Sequence, residues 1–262
     1  MTPGKYLAPA LLVAALATAA SAMHPASPIP PAANRPMTPV ILDPGHGGED
    51  KGAVVRGLME KDIALVFAKK LKARLARNAD LPVVLTRDSD RYVTLDERLI
   101  DSVDMSGSIF VSLHLNQVKG KKSAGAIVYS YGPEKLRLWR KRQHPSVPPM
   151  PAPPRGQAGD SERLARTFSR ALRGDGFRAE SSKSDYYVLK NPAAPSVLIE
   201  LGYLNNPDEA AKLSDSAYQD RMVDSLAKAI EEYATLRTLR TSVATAPKAV
   251  TNRPKAGGLL LP

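Results

Sequence analysis

His46 and His114 each close a short apolar run of the kind that forms a buried strand, residues 39–48 (PVILDPGHGG) and residues 108–116 (SIFVSLHLN). Glu60 opens a segment with helical spacing, and Glu200 ends a third apolar run, residues 195–202 (PSVLIELG). If Glu60 joins the two histidines, the set is two imidazole nitrogens and one carboxylate. Catalytic zinc takes such a set, with the fourth position left for water. Glu200 would then be the spare carboxylate that accepts the water proton and passes it to a leaving nitrogen. Asp43 and Asn116 lie near the histidines in sequence and could orient a ligand from behind.

Read one at a time, these residues have plainer roles. A histidine after a strand can be a structural hydrogen-bonder. The Gly-His-Gly-Gly stretch could be a tight turn or an anion-binding loop, and Glu60 an ordinary first-turn helix carboxylate. Glu200 is less ordinary, because a carboxylate between Ile199 and Leu201 needs a partner or a purpose.

Several elements must position these groups. A strand at 40–42 is followed by a helical pattern over 60–77, a strand at 82–86, and a helix over 94–103. The last opens with a capping-box pair, Thr94 and Glu97. Strands follow at 109–113 and 126–130, a helix at 161–173, strands at 186–189 and 197–199, and a helix at 218–236. Short, continuously apolar strands alternating with helices imply an α/β fold. The expected architecture is a single domain with a mostly parallel sheet covered by helices on both faces. Ligands in such sheets collect beyond the carboxyl ends of the strands, where His46, His114 and Glu200 would lie.

The flanks read differently. Residues 1–22 carry Lys5, an Ala/Leu-rich run and an Ala-Ser-Ala site, the pattern of a signal peptide for export. Residues 23–37 form a Pro-rich linker and lead to a catalytic domain expected over 38–236. Within it, the basic, Pro-rich stretch 133–160 reads as a surface loop. The basic tail 237–262 shows no periodicity and reads as disordered. These two basic segments account for most of the net charge of +11, so the catalytic body need not be a basic surface. They are suited to an anionic wall polymer or membrane surface. With aromatics at 5%, a nucleic-acid partner is not expected. The absence of cysteine excludes a thiol nucleophile and a Cys-based zinc site.

Taken together, the motifs resemble the zinc-dependent N-acetylmuramoyl-L-alanine amidases of the amidase-3 family. The resemblance rests on residues 41–48, the Gly-Ala pair at 52–53, Glu60-Lys61-Asp62, residues 86–90, 95–98, 110–116 and 195–202, and the Asn-Asn-Pro at 205–207. It implies that His46, Glu60 and His114 bind Zn2+ and that Glu200 is the catalytic carboxylate. It also implies hydrolysis of the amide between N-acetylmuramic acid and L-alanine, with peptidoglycan as partner, by an exported, periplasmic or wall-associated monomer. Two departures stand out. Residues 100–108 lack an Ala-Asn pair usual in the family, which bears on local packing. Leu115 replaces a small residue and is expected to narrow the site.

The ligand set alone also suits another envelope zinc peptidase or deacetylase. A non-catalytic wall-binding module is the third reading, disfavoured because all four chemical positions are filled. Some family members carry an inserted helix that blocks the zinc until a partner moves it. The Pro-rich character of 133–160 argues against such a helix. The purified domain with zinc is therefore expected to cleave peptidoglycan unaided; inertness relieved only by an added partner protein would refute this.

Overall fold

A computed structural model of the chain describes residues 37–118, 123–132 and 151–245, without the side chains of 243–245. The signal peptide, nearly all of the linker, residues 133–150 of the basic stretch and the end of the tail lie outside the described residues.

The strands are β1 (Val40–Pro44), β2 (Val54–Val55), β3 (Leu58–Met59), β4 (Val83–Leu85), β5 (Ile109–Asn116), β6 (Ala126–Tyr131), β7 (Ala179–Ser184) and β8 (Ser196–Tyr203). The helices are α1 (Glu60–Leu75), α2 (Glu97–Asp104), α3 (Arg155–Gly174), α4 (Pro207–Ser214) and α5 (Ser216–Thr245). Six strands form one sheet in the order β4-β1-β5-β8-β6-β7, and β2 and β3 form a small hairpin. Strands β4, β1, β5 and β8 run parallel; β6 is antiparallel to β8, and β7 is parallel to β6. The sheet is thus mostly parallel.

Side chains alternate across it. Val40 and Leu42, then Val111, Leu113 and Leu115, then Val197, Ile199 and Leu201 point to one face. There they pack against Phe67 and Leu71 of α1, Phe168 of α3 and Leu226 and Ile230 of α5. Ile41, Phe110 and Leu198 point to the other face, where Leu99 of α2 and Val188 and Leu189 of a 3-10 turn (Tyr187–Lys190) cover them. Both faces are covered because β1 and β5 are buried on both sides, which is why their sequences read as continuous apolar runs.

Most expected elements are present, with instructive differences. The run 186–189, expected as a strand, is that 3-10 turn; Leu189 N–H donates to Tyr186 O. A short apolar run has no periodicity that separates strand from turn, and here the Asn191 side chain bends the chain by accepting from the Ala193 and Ala194 N–H groups. The basic loop ends earlier than expected, since α3 begins at Arg155 directly after Pro154. Residues 237–245, expected to belong to a tail without periodicity, are helical, because α5 continues to Thr245. Arg237 ties that extension to the body by donating to the Gly107 and Ser108 carbonyls. Strand β7 (AESSKS) is an edge strand too polar to show as one, and its central residues are exposed. The capping box is formed: Thr94 N–H donates to Glu97 Oε2 at 2.8 Å and Glu97 N–H donates to Thr94 Oγ1 at 3.3 Å.

Phe168 is fully buried between α3 and the sheet. Phe168→Ala is expected to lower unfolding free energy by about 3–5 kcal/mol. Val66→Ala, on the exposed face of α1, should stay within about 0.5 kcal/mol. Urea denaturation of the two variants checks both.

Candidate metal centre

The site forms where β1, β5 and β8 end. Beyond Pro44 the chain turns sharply, and His46 takes a left-handed conformation with φ 59°. Such a backbone costs a non-glycine residue about 1–3 kcal/mol and persists only when its surroundings impose it.

The surroundings are two buried arginines. Asp43 is fully buried on β1 and pairs with Arg98 of α2 at 2.6 Å. It also accepts the Thr86 and Ser112 hydroxyls, each at 2.7 Å. Burial opposes the Asp43 charge, but Arg98 and the Ser112 and Thr86 hydroxyls hold its pKa below the usual carboxylate value. Arg98 in turn donates to Pro44 O at 3.0 Å and His46 O at 2.9 Å. Arg87, fully buried, donates to Pro44 O at 2.9 Å, Gly45 O at 2.7 Å and Lys61 O at 2.8 Å. Successive carbonyls of the turn are therefore clamped by guanidinium groups. A second pair, Lys61 and Asp90, grips Gly48 at its carbonyl and its N–H.

Close approach follows. A Cβ on Gly45 would lie 2.3 Å from the His114 ring, and one on Gly52 would lie 2.5 Å from Glu60 Oε2. Only glycine lets the backbone pass this near to the functional side chains.

His46, Glu60 and His114 converge as the sequence predicted. Their ligand atoms all lie within 4.8 Å of one another, a grouping that can hold a metal ion. Glu60 Oε1 is 3.1 Å from His46 Nε2 and 2.9 Å from His114 Nδ1. Backbone N–H groups aim this carboxylate, Leu115 donating to Oε1 and Ala53 to Oε2. Burial would raise the Glu60 pKa, but its hydrogen bonds to both histidines, and their charges, hold it far below the usual range. Burial would likewise lower His46, yet Glu60 and Asp50 together raise it to about 9.

Glu200 stands beside His114 in strand register. Its Oε2 is buried and has no hydrogen-bond partner among the described residues. Burial, then the charge of Glu60, pushes its pKa up to about 8, with His46 opposing.

Asp50 also meets the site, a contact the sequence did not single out. Its Oδ2 lies 2.8 Å from His46 Nδ1. The only trace in the sequence was an acid four residues after the histidine. Of the two orienting candidates, Asp43 is engaged elsewhere. Asp43 acts on the turn through Arg98, and Asn116 closes β5, its backbone carbonyl accepting the Leu204 N–H. Leu115 does not narrow the site, because its side chain lies in the core on the opposite face of the sheet. In place of the missing Ala-Asn pair, buried Ser102 accepts a hydrogen bond from Asn191.

Residues 40–232 match the amidase-3 family, described as N-acetylmuramoyl-L-alanine amidase. The chain is 32% identical to the endolysin of Bacillus phage SPP1, over 80% of this chain and 70% of that protein. It is 29% identical to the N-acetylmuramoyl-L-alanine amidase LytC of Bacillus subtilis, over 74% of this chain but only 36% of LytC. Among solved structures, an N-acetylmuramoyl-L-alanine amidase from Clostridium difficile 630 superposes with a TM-score of 0.64 at 27% identity, covering 76% of this chain and 97% of that one.

Asp43→Asn would leave Arg98 buried without a counter-charge, at a cost of about 3–5 kcal/mol. Because the folded Asp43 pKa lies below its ordinary 3.8, its ionisation stabilises the fold above that value and the contribution is lost as pH falls through the folded pKa. Thermal melts from neutral pH down to below pH 3 should therefore show a steeper acid loss for the wild type than for Asp43→Asn.

Proposed function

Because the chain belongs to the amidase-3 family of N-acetylmuramoyl-L-alanine amidases, we propose that it hydrolyses the amide between N-acetylmuramic acid and L-alanine in peptidoglycan, with zinc as cofactor. The observation that carries this reading is the convergence of His46, Glu60 and His114 next to a buried carboxylate, Glu200, whose Oε2 lacks a partner.

The donor set suits zinc. Two imidazole nitrogens and one carboxylate oxygen are the ligands of several catalytic zinc sites. His46, Glu60 and His114 would hold the ion, their ligand atoms all lying within 4.8 Å of one another. When bound, zinc supplies a water of pKa about 7, polarisation of the scissile carbonyl and a positive charge that favours ionised Glu200.

The chain's own residues do the rest. Asp50 holds the Nδ1 side of His46 and so leaves Nε2 as a ligand. The Ala53 and Leu115 N–H groups keep Glu60 facing both histidines. Glu200 takes the proton of the attacking water as the new carbon–oxygen bond forms. It then delivers that proton to the L-alanine nitrogen as the carbon–nitrogen bond breaks. The products are a free lactyl carboxylate and a stem peptide with an L-alanine amine.

A relative named a probable cell wall amidase and the leader-like pattern of residues 1–22 support the exported, periplasmic or wall-associated compartment that we assign to the protein. No described helix is long and apolar enough to cross a membrane.

Glu200→Gln is expected to keep zinc and lower turnover by about 10²–10⁴-fold, whereas His114→Ala loses both metal and activity. Metal analysis alongside mass spectrometry of digested peptidoglycan checks this. Full activity in Glu200→Gln would remove the base assignment. Products other than stem peptides with free L-alanine amines would point to a peptidase or deacetylase instead.

A further inference from the structure

Four strands place one residue each in a single line across the sheet. His114 of β5 pairs with Glu200 of β8, Glu200 pairs with Ile127 of β6, and Ile127 pairs with Glu180 of β7. All four side chains belong to the same face. Their neighbours Leu113, Leu115, Ile199, Leu201, Ala126, Val128 and Ala179 fill the core on the other one, and Lys183 of β7 reaches over that other face to Glu162 of α3.

Among the described residues, the face with the four-residue line is uncovered at its β6–β7 end. Ile127 and Tyr129 are half-buried, while Glu180 and Ser182 are exposed. Tyr129 stacks edge-on against Tyr186 with ring centroids 5.4 Å apart. Its hydroxyl pKa is raised by burial and by Tyr186, and then by Glu200, Tyr203 and Glu180. Glu180 itself makes no hydrogen bond or ion pair with any other described residue. The metal centre therefore continues into a shelf with an apolar floor at Ile127, a tyrosine wall and, at its far end, a carboxylate without a partner among the described residues.

The spacing selects a ligand. Neighbouring strands are about 4.8 Å apart, so Glu180 lies about 10 Å from Glu200 along the line. Three residues of extended peptide span about 10 Å. In peptidoglycan the peptide that leaves with the L-alanine nitrogen carries a diamino acid at its third position. Where that residue is not cross-linked, its side chain ends in a free ammonium group.

We propose that Glu180 is a specificity-determining residue that receives this ammonium group, with the stem peptide lying across β8, β6 and β7 over Ile127. The proposal rests on the amidase reading of the site. It makes the protein selective for stem peptides whose diamino acid is not cross-linked. A solvent-accessible ion pair of this kind is worth about two- to fivefold in equilibrium or rate.

The test uses a muramoyl tripeptide ending in lysine and the same compound with its ε-amine acetylated. Binding of both is measured to the full chain carrying Glu200→Gln, and hydrolysis of both by the full chain without it. Both are repeated with Glu180→Gln and Glu180→Lys, substitutions on an exposed edge strand. The expected wild-type preference for the free amine is about two- to fivefold in Kd and in kcat/KM. It should vanish in Glu180→Gln and reverse in Glu180→Lys, with turnover of the acetylated compound unchanged by Glu180→Gln. No preference in the Glu180-bearing protein, or a preference that survives Glu180→Gln, overturns the proposal. If binding shows the Glu180-dependent preference but neither compound is hydrolysed, Glu180 keeps its role and the amidase reading falls.

Discussion

The buried pair of Asp43 and Arg98 is the constraint on which the site depends. An ion pair with no water around it holds only if its remaining donors and acceptors are satisfied. Here Thr86 and Ser112 complete the carboxylate, and the Pro44 and His46 carbonyls complete the guanidinium. That requirement transmits order. Arg98 cannot be satisfied unless the chain after β1 presents those carbonyls inward, and Arg87 imposes the same condition at Gly45. The left-handed backbone of His46 is the consequence. Its strain is outweighed by charge-assisted hydrogen bonds formed away from water, where each is stronger.

The sheet separates stability from chemistry by face and by end. One face is aliphatic along its whole length, from Val40 and Ile109 to Leu115 and Leu201, and it carries α1, α3 and α5. The other begins apolar, with Ile41, Phe110 and Leu198, and becomes polar toward the carboxyl ends, with Asp43, Ser112, His114 and Glu200. A carboxylate at the polar end of a dry face is costly to ionise. This accounts for both the raised pKa and the unpartnered oxygen of Glu200. The same gradient offers a dication a place where its charge is needed.

The basic, Pro-rich excursion is attached far from this end. It leaves β6 at Gly132 and returns at Pro151, ahead of α3. Because β6 runs antiparallel to β8, its exit is near the amino end of β8. The first turns of α3 are tied to the same region, Gln157 donating to Ala193 O and Ser161 accepting from Ser196 N–H. Both described anchors are thus at the sheet edge opposite His46 and His114.

By itself the sequence determined the α/β architecture and the central strands, and it singled out the four residues proposed to do the chemistry. Those features are carried by local periodicity and by residue types at chain-local spacing: apolar runs at β1, β5 and β8, with His46, His114 and Glu200 toward their ends, and Glu60 at the start of α1. What it did not show depends on partners distant in the chain. The polar run of β7 is a strand only because β6 lies beside it. The apolar run at 186–189 turns because Asn191 and Ser102 meet across the fold. Leu115 reads as a site residue until strand alternation sends it to the other face. The partner of His46 is Asp50 rather than Asp43, because the buried arginines curl the turn back on itself. Register, which no single segment specifies, put Glu180 in line with Glu200.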